Sequence, residues 1–160
     1  MDVARPLGAD GTRDGRGVAI ADLDGDGRLD VVVANNNAPP TVYLNRLRHT
    51  GNWLEVALAG RPSNRDAVGA WLRLTVTAGG ATKTMTRQAE AGSGYASQSD
   101  GVIHFGLGAA GQAEALEVTW PSGRTQHFRA SELAGKVNRR LWLEEGGALR
   151  EHGGRGNGVR

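Results

Sequence analysis

Asp22-Leu23-Asp24-Gly25-Asp26-Gly27-Arg28-Leu29-Asp30 carries four carboxylates at positions one, three, five and nine, with glycine at position six. A hard cation collects six to eight oxygens at ~2.3–2.6 Å, so carboxylates on alternate residues must fold inward around one point, and a glycine permits the tight turn this needs. The spacing predicts a calcium loop, with Asp22, Asp24, Asp26 and Asp30 as side-chain ligands and the backbone carbonyl of Arg28 at position seven. Without a cation, four carboxylates in so short a loop repel one another. A helix–loop–helix calcium site would need a bidentate Glu at position twelve, where this chain has Val33. The flanks GVAIADL (17–23) and LDVVVAN (29–35) are apolar and β-branched, so the loop joins two strands rather than two helices.

Outward from the loop, the pattern remains that of strands. Leu54, Val56 and Leu58 share one face of a segment over 52–58, and Leu72, Leu74 and Val76 repeat the alternation. Gly79-Gly80 then closes a hairpin into 81–89. Ile103, Phe105 and Leu107 form a third inward set, and Leu116, Val118 and Trp120 a fourth. Ser122-Gly123 turns the chain into 124–128, and Leu141 and Leu143 end the series. A short helical turn is expected near 131–134. These features predict an all-β chain: three short strands around loops over residues 1–48, an antiparallel β-sandwich or barrel over 49–145, and a flexible tail over 146–160, where Gly, Arg, Glu and Asn dominate. The three short strands of the first segment are too few to stand alone.

Composition bounds the function. The 160 residues include 25 glycines and no cysteine, which excludes disulfides, a thiolate nucleophile and a cysteine-based zinc site. The 19 Lys+Arg against 17 Asp+Glu are scattered, and Arg139-Arg140 with the arginines of the tail make only diffuse patches, a poor footprint for nucleic acid. No run approaches the ~18 apolar residues of a membrane span, and the N-terminus shows no signal-peptide pattern.

Residues 15–46, with the aspartate loop and the continuation VVVANNNAPPTVYLNR, resemble the FG-GAP (integrin-type, VCBS-like) repeat of β-propellers, which binds calcium through the same spacing of aspartates; the resemblance implies that residues 1–48 are a partial, terminal propeller blade and that the chain is incomplete at its N-terminus. Past residue 50, GNWLEVALAGRPSNRDAVGAWLRLTV, GSGYASQSDGVIHFGLG and LEVTWPSGRTQHF resemble the ASPIC/UnbV domain. That family typically follows FG-GAP-type repeats in exported bacterial proteins and in the extracellular cartilage acidic proteins of animals. The resemblance implies a secreted, extracellular or periplasmic, non-enzymatic calcium-binding adhesion or interaction module. It would form the C-terminal part of a propeller-containing protein whose partners are the upstream blades and an extracellular protein or glycan.

Other residues offer competing chemistry. Ser63-Asn64-Arg65-Asp66 reads as a self-bonded turn that leaves Arg65 to tie down a neighbouring loop, in preference to a ligand site. Trp120 continues a core face. Trp53, Trp71 and Trp142 lie opposite their aliphatic neighbours, and covering by a second sheet is the favoured reading; the alternative is a carbohydrate-binding module that uses them as stacking platforms. The polar loop Gly92–Asp100 with His104 or His127 would be the only material for a Ser/His hydrolase or an accessory domain of one, and it lacks the strand–turn–helix context of a nucleophile elbow. His49, His104, His127 and His152 contain no close ligand pair for zinc.

Overall fold

In the computed structural model, which describes residue 5 and residues 8–48, 51–92 and 94–152, the chain divides into two compact units. One comprises residues 1–48 with 92–100, the other residues 49–91 with 101–160. The excursion over 92–100, expected within the second domain, therefore belongs to the first unit.

The first unit is an antiparallel meander of β1 (Gly15–Ala21), β2 (Asp30–Asn35) and β3 (Thr41–Tyr43). Ala21 pairs with Asp30, so the aspartate loop closes a hairpin; further along, Ile20 pairs with Val31 and Val31 with Tyr43. Residues 94–100 run beside the open edge of β1. The amide of Asp100 donates to the carbonyl of Ile20 at 3.1 Å, and the amide of Ile20 to Ser99 Oγ at 3.2 Å. Gly17 makes this approach possible, since a Cβ there would lie 3.1 Å from the Ala96 carbonyl oxygen. Val18, Ile20 and Val42 stay exposed, and the well-buried side chains described in this unit are those of Asp22 and Asp30.

The second unit is a sandwich. One sheet has the order β11 (Arg150–Glu151), β10 (Arg140–Glu144), β4 (Asn52–Ala59), β7 (Ile103–Gly108); the other has the order β6 (Ala81–Gln88), β5 (Trp71–Ala78), β8 (Ala113–Thr119), β9 (Thr125–Arg129). The inward sets read from the sequence all enter the core. Leu54, Val56, Phe105, Leu141 and Leu143 come from the first sheet and Leu72, Leu74, Leu116, Val118 and Phe128 from the second. Each such side chain contributes roughly 1.5–3 kcal/mol by leaving water. The one-turn helix α1 (Ala130–Leu133) adds Leu133, while the Glu132 carboxylate accepts the Arg129 amide at 2.9 Å.

Three expectations change. Of the sandwich or barrel expected, the chain forms the sandwich, but it is not wholly antiparallel, because β10 pairs with β4 in parallel. A parallel neighbour needs a long crossover, and here the whole second sheet intervenes between the two strands. The tail does not begin at residue 146. Leu149 packs against the core and β11 pairs with β10, which gives these few residues the apolar contact and ladder that composition alone does not suggest. The tail positions 153–160 lie outside the described residues. Finally, no second sheet covers Trp71 or Trp142, which remain exposed, because each lies on the outward side of its own sheet.

Candidate metal centre

The site stands at the β1–β2 turn. Asp22 follows the last residue of β1 and Asp30 opens β2, so strand pairing brings the two carboxylates to the base of the same loop. The loop then wraps around Asp22. Its Oδ1 accepts the amides of Gly25 at 2.8 Å and Asp26 at 3.1 Å, and its Oδ2 the amide of Gly27 at 2.9 Å. Gly25 and Gly27 adopt φ +78° and +83°, the left-handed region where a side chain is strained. This is the local reason for the glycine at position six. Asp30 ties the loop to the segment just past β3, with Oδ2 accepting Leu23 N at 3.0 Å and Oδ1 accepting Asn45 N at 2.7 Å.

Oxygens of Asp22, Asp24 and Asp30 lie within 4.8 Å of one another. Ligands on opposite sides of a calcium ion stand about 5 Å apart, twice the ~2.3–2.6 Å bond, so these three carboxylates are spaced to share one ion. Asp22 and Asp30 are buried, at 8% and 2% exposure, and Asp24 is exposed. The carboxylate of Asp26 is engaged otherwise. It pairs with the Arg28 guanidinium, accepts the Arg28 amide at 2.9 Å, and stands outside the cluster of three. The guanidinium of Arg28, whose carbonyl is the expected ligand, also donates from Nε to the Asn45 carbonyl at 2.7 Å. Arg46 reaches Asp24 at 3.0 Å. Arg28 and Arg46 thus answer part of the carboxylate repulsion, and four carboxylates against two guanidiniums still leave the loop two charges negative. Asn45 and Arg46, seventeen and eighteen residues from Arg28, carry no signal in the loop motif. Only the β3 pairing places them there.

The remaining candidates are dispersed among structural pairs. His104 stacks on Trp53 with ring centroids 6.4 Å apart, and His127 Nδ1 lies 3.4 Å from Glu117 on the other sheet. His152 tilts against Trp142 at 5.9 Å. His49 and Ser93 lie outside the described residues. Trp120 is in the core, as its alternation predicts, and its indole N–H donates to Gln126 Oε1 at 2.7 Å. In the 63–66 segment the Asn64 side chain both donates to the Val68 carbonyl and accepts its amide, each at 2.8 Å, which makes the self-bonded turn. The Arg65 guanidinium does not tie down a neighbouring loop. It pairs with adjacent Asp66 at 3.0 Å in open solvent, because its own turn points it outward.

One carboxylate that the sequence did not single out is held in a cradle. Glu145 is buried and accepts the amides of Arg61 at 2.7 Å and Ser63 at 2.8 Å, together with the Ser122 hydroxyl. Burial pushes its pKa up, but the hydroxyl of Ser122 and the two amides outweigh it and hold the group down at about 2. It clamps the 61–63 loop and the Ser122 turn to the end of β10.

Comparison with known proteins finds two family models that match the chain. The ASPIC and UnbV family model matches residues 60–150, more than half of the chain. The chain belongs to that family. The FG-GAP repeat model matches residues 15–47, the meander with its aspartate loop. Among similar proteins, cartilage acidic protein 1 of Xenopus tropicalis is 36% identical over 130 residues, covering 78% of this chain and 19% of that protein. The proteins of the same name from Mus musculus and Homo sapiens are each 35% identical over 113 residues, covering 69% of this chain and 17% and 16% of theirs. This ASPIC and UnbV chain thus spans less than a fifth of the length of these relatives. Among its described residues no helix is long and apolar enough to cross a membrane.

Proposed function

We propose that this chain is a calcium-binding, non-enzymatic interaction module of an extracellular or periplasmic protein. The observation that carries the reading is the convergence of Asp22, Asp24 and Asp30 oxygens within 4.8 Å in a loop that retains net negative charge. These three would hold the ion, with Asp26 and the Arg28 carbonyl as the further ligands that the spacing implies. The ion supplies positive charge between two strand ends and so ties β1 to β2. Extracellular placement is supported by the ASPIC and UnbV and FG-GAP matches, and suits a module of millimolar calcium affinity. A non-catalytic role is supported by the structural engagement of Glu55, Glu145, His104 and His127 described in this fold. Exposed Val18, Ile20 and Val42 suit a blade that packs against further repeats of the same protein.

The test is a calorimetric calcium titration of the wild type and of Asp24→Asn, chosen because Asp24 holds none of the loop amides. One ion per chain is expected, with affinity weakened at least tenfold in the variant. Equal binding by the two proteins, or none by the wild type, would overturn the assignment. Asp26→Asn separates the two groups: weakened binding places Asp26 on the ion, and unchanged binding leaves it with Arg28.

A further inference from the structure

The outward face of the second sheet carries a single large apolar side chain. Trp71, near the start of β5, is 47% exposed. In register with it stand Gln88 on β6, and Thr119 and Thr125 on β8 and β9. The next row along the same face holds Arg73, Glu117 and His127, and the row after that Thr84, Thr75 and Arg129. A shallow trough of about 410 Å³ runs over these two rows, lined by Arg73, Thr75, Thr84, Glu117, His127 and Arg129. Arg73 lies 3.8 Å from Glu117 and His127 Nδ1 3.4 Å from it, so this carboxylate stands between a guanidinium and an imidazole, and Arg129 in the next row has no carboxylate opposite it in register.

We propose that this face binds an acidic oligosaccharide, with Trp71 as the stacking platform. An indole offers its flat face to the C–H groups of a pyranose ring, and flanking hydroxyl and amide groups satisfy the ring's own hydroxyls. A protein partner would be met by several clustered aromatic and aliphatic side chains, whereas around Trp71 this face shows threonine, glutamine and charge. Its excess of positive charge, Arg73 and Arg129 against Glu117, favours a carboxylated sugar over a neutral one. Arg129 stands four residues along and two strands across from Trp71, about 16 Å by strand geometry. That separation asks for a short chain of sugars rather than one ring, with a sugar ring on Trp71 and a carboxylate at Arg129.

The test titrates the full chain with galacturonate hexasaccharide and, separately, cellohexaose, in EDTA so that the acidic loop takes no part. Calorimetry and tryptophan fluorescence are the readouts. The galacturonate is expected to bind saturably and at least tenfold more tightly than cellohexaose. Trp71→Ala should weaken it about tenfold or more, and Trp71→Phe less. Arg129→Gln should erase the preference for the acidic sugar while leaving the neutral one unchanged. Trp142→Ala, on the other sheet, should bind as the wild type does. Binding that survives Trp71→Ala overturns the proposal, as does silence with both hexasaccharides at millimolar concentration. Equal affinity for both sugars overturns its acidic specificity.

Discussion

Glu55 is a carboxylate placed where sheet alternation puts an outward residue, yet it is only 2% exposed. It is flanked in register by Arg140 on β10 and His104 on β7, and Arg140 Nε donates to its Oε2 at 2.6 Å. Removing one partner of a buried ion pair costs about 3–5 kcal/mol, because the other charge has lost its counter-ion and stays desolvated. The two halves differ in their escape. The Arg140 side chain is 28% exposed although its Nη2 is buried, so a change of rotamer can carry the guanidinium to water, and Glu55→Ala should fall at the lower end, about 3 kcal/mol. Arg140→Ala strands a carboxylate that has no such exit and should cost more, about 4–5 kcal/mol. At roughly 4–8 °C per kcal/mol for a domain of this size, the first lowers Tm by about 12–24 °C. Replacing both by Met should recover most of the loss, since no charge is then left buried. Urea unfolding followed by circular dichroism gives the stabilities. Single variants within about 1 kcal/mol of wild type would refute the reasoning, as would Glu55→Ala costing more than Arg140→Ala.

The other predictions concern the clamp, the excursion and the loop. Glu145, held at about 2 against an ordinary 4.5, contributes stability that is fully present above pH 4.5 and is lost as pH falls toward 2. The Tm gap between wild type and Glu145→Gln should therefore narrow across that window, and a constant gap would show that the cradle is not what holds the carboxylate down. Gly17→Val should push residues 94–100 off the β1 edge, because even its Cβ would sit 3.1 Å from the Ala96 carbonyl; hydrogen exchange at the Asp100 amide should accelerate while amides of β5 and β8 keep their protection. With calcium at a hundred times its Kd, the first unit should gain about 2.7 kcal/mol against unfolding, and Asp24→Asn should lose that gain. A calcium-independent melt of the wild type would count against the metal.

The second unit was legible because period-two alternation survives in every central strand. Leu54-Val56-Leu58 and Leu116-Val118-Trp120 declare their face without knowledge of any neighbour, and Gly79-Gly80 declares its turn. What could not be read is what depends on partners far away in sequence. The parallel pairing of β10 on β4 joins segments separated by the whole second sheet, and β11 is a two-residue strand whose identity comes from the ladder it extends. The same holds for the carboxylates. The aspartate loop announces its spacing, but not that Asp26 turns to Arg28 and stands outside the cluster, nor that Arg46, brought in from beyond β3, reaches Asp24. Glu55 and Glu145 look like ordinary surface glutamates until their cross-strand neighbours are known.

The two units solve the problem of cohesion differently. The sandwich buries aliphatic and aromatic side chains between its sheets, and its buried carboxylates are additions to a structure already held by that core. The meander has no comparable set. Among the described residues, the side chains it buries are Asp22 and Asp30, and they accept five amide hydrogen bonds from the loop and from Asn45, so polar bonds to carboxylates do there what apolar contact does in the sandwich. Such an arrangement concentrates negative charge at the turn, and the two arginines answer only half of it. On the proposed reading, a divalent cation balances the remainder at the turn where these carboxylates gather. Its binding free energy then becomes folding free energy for the blade. This coupling would make the blade sensitive to the calcium level while the sandwich beside it in sequence keeps its fold, so calcium would report on the first unit alone.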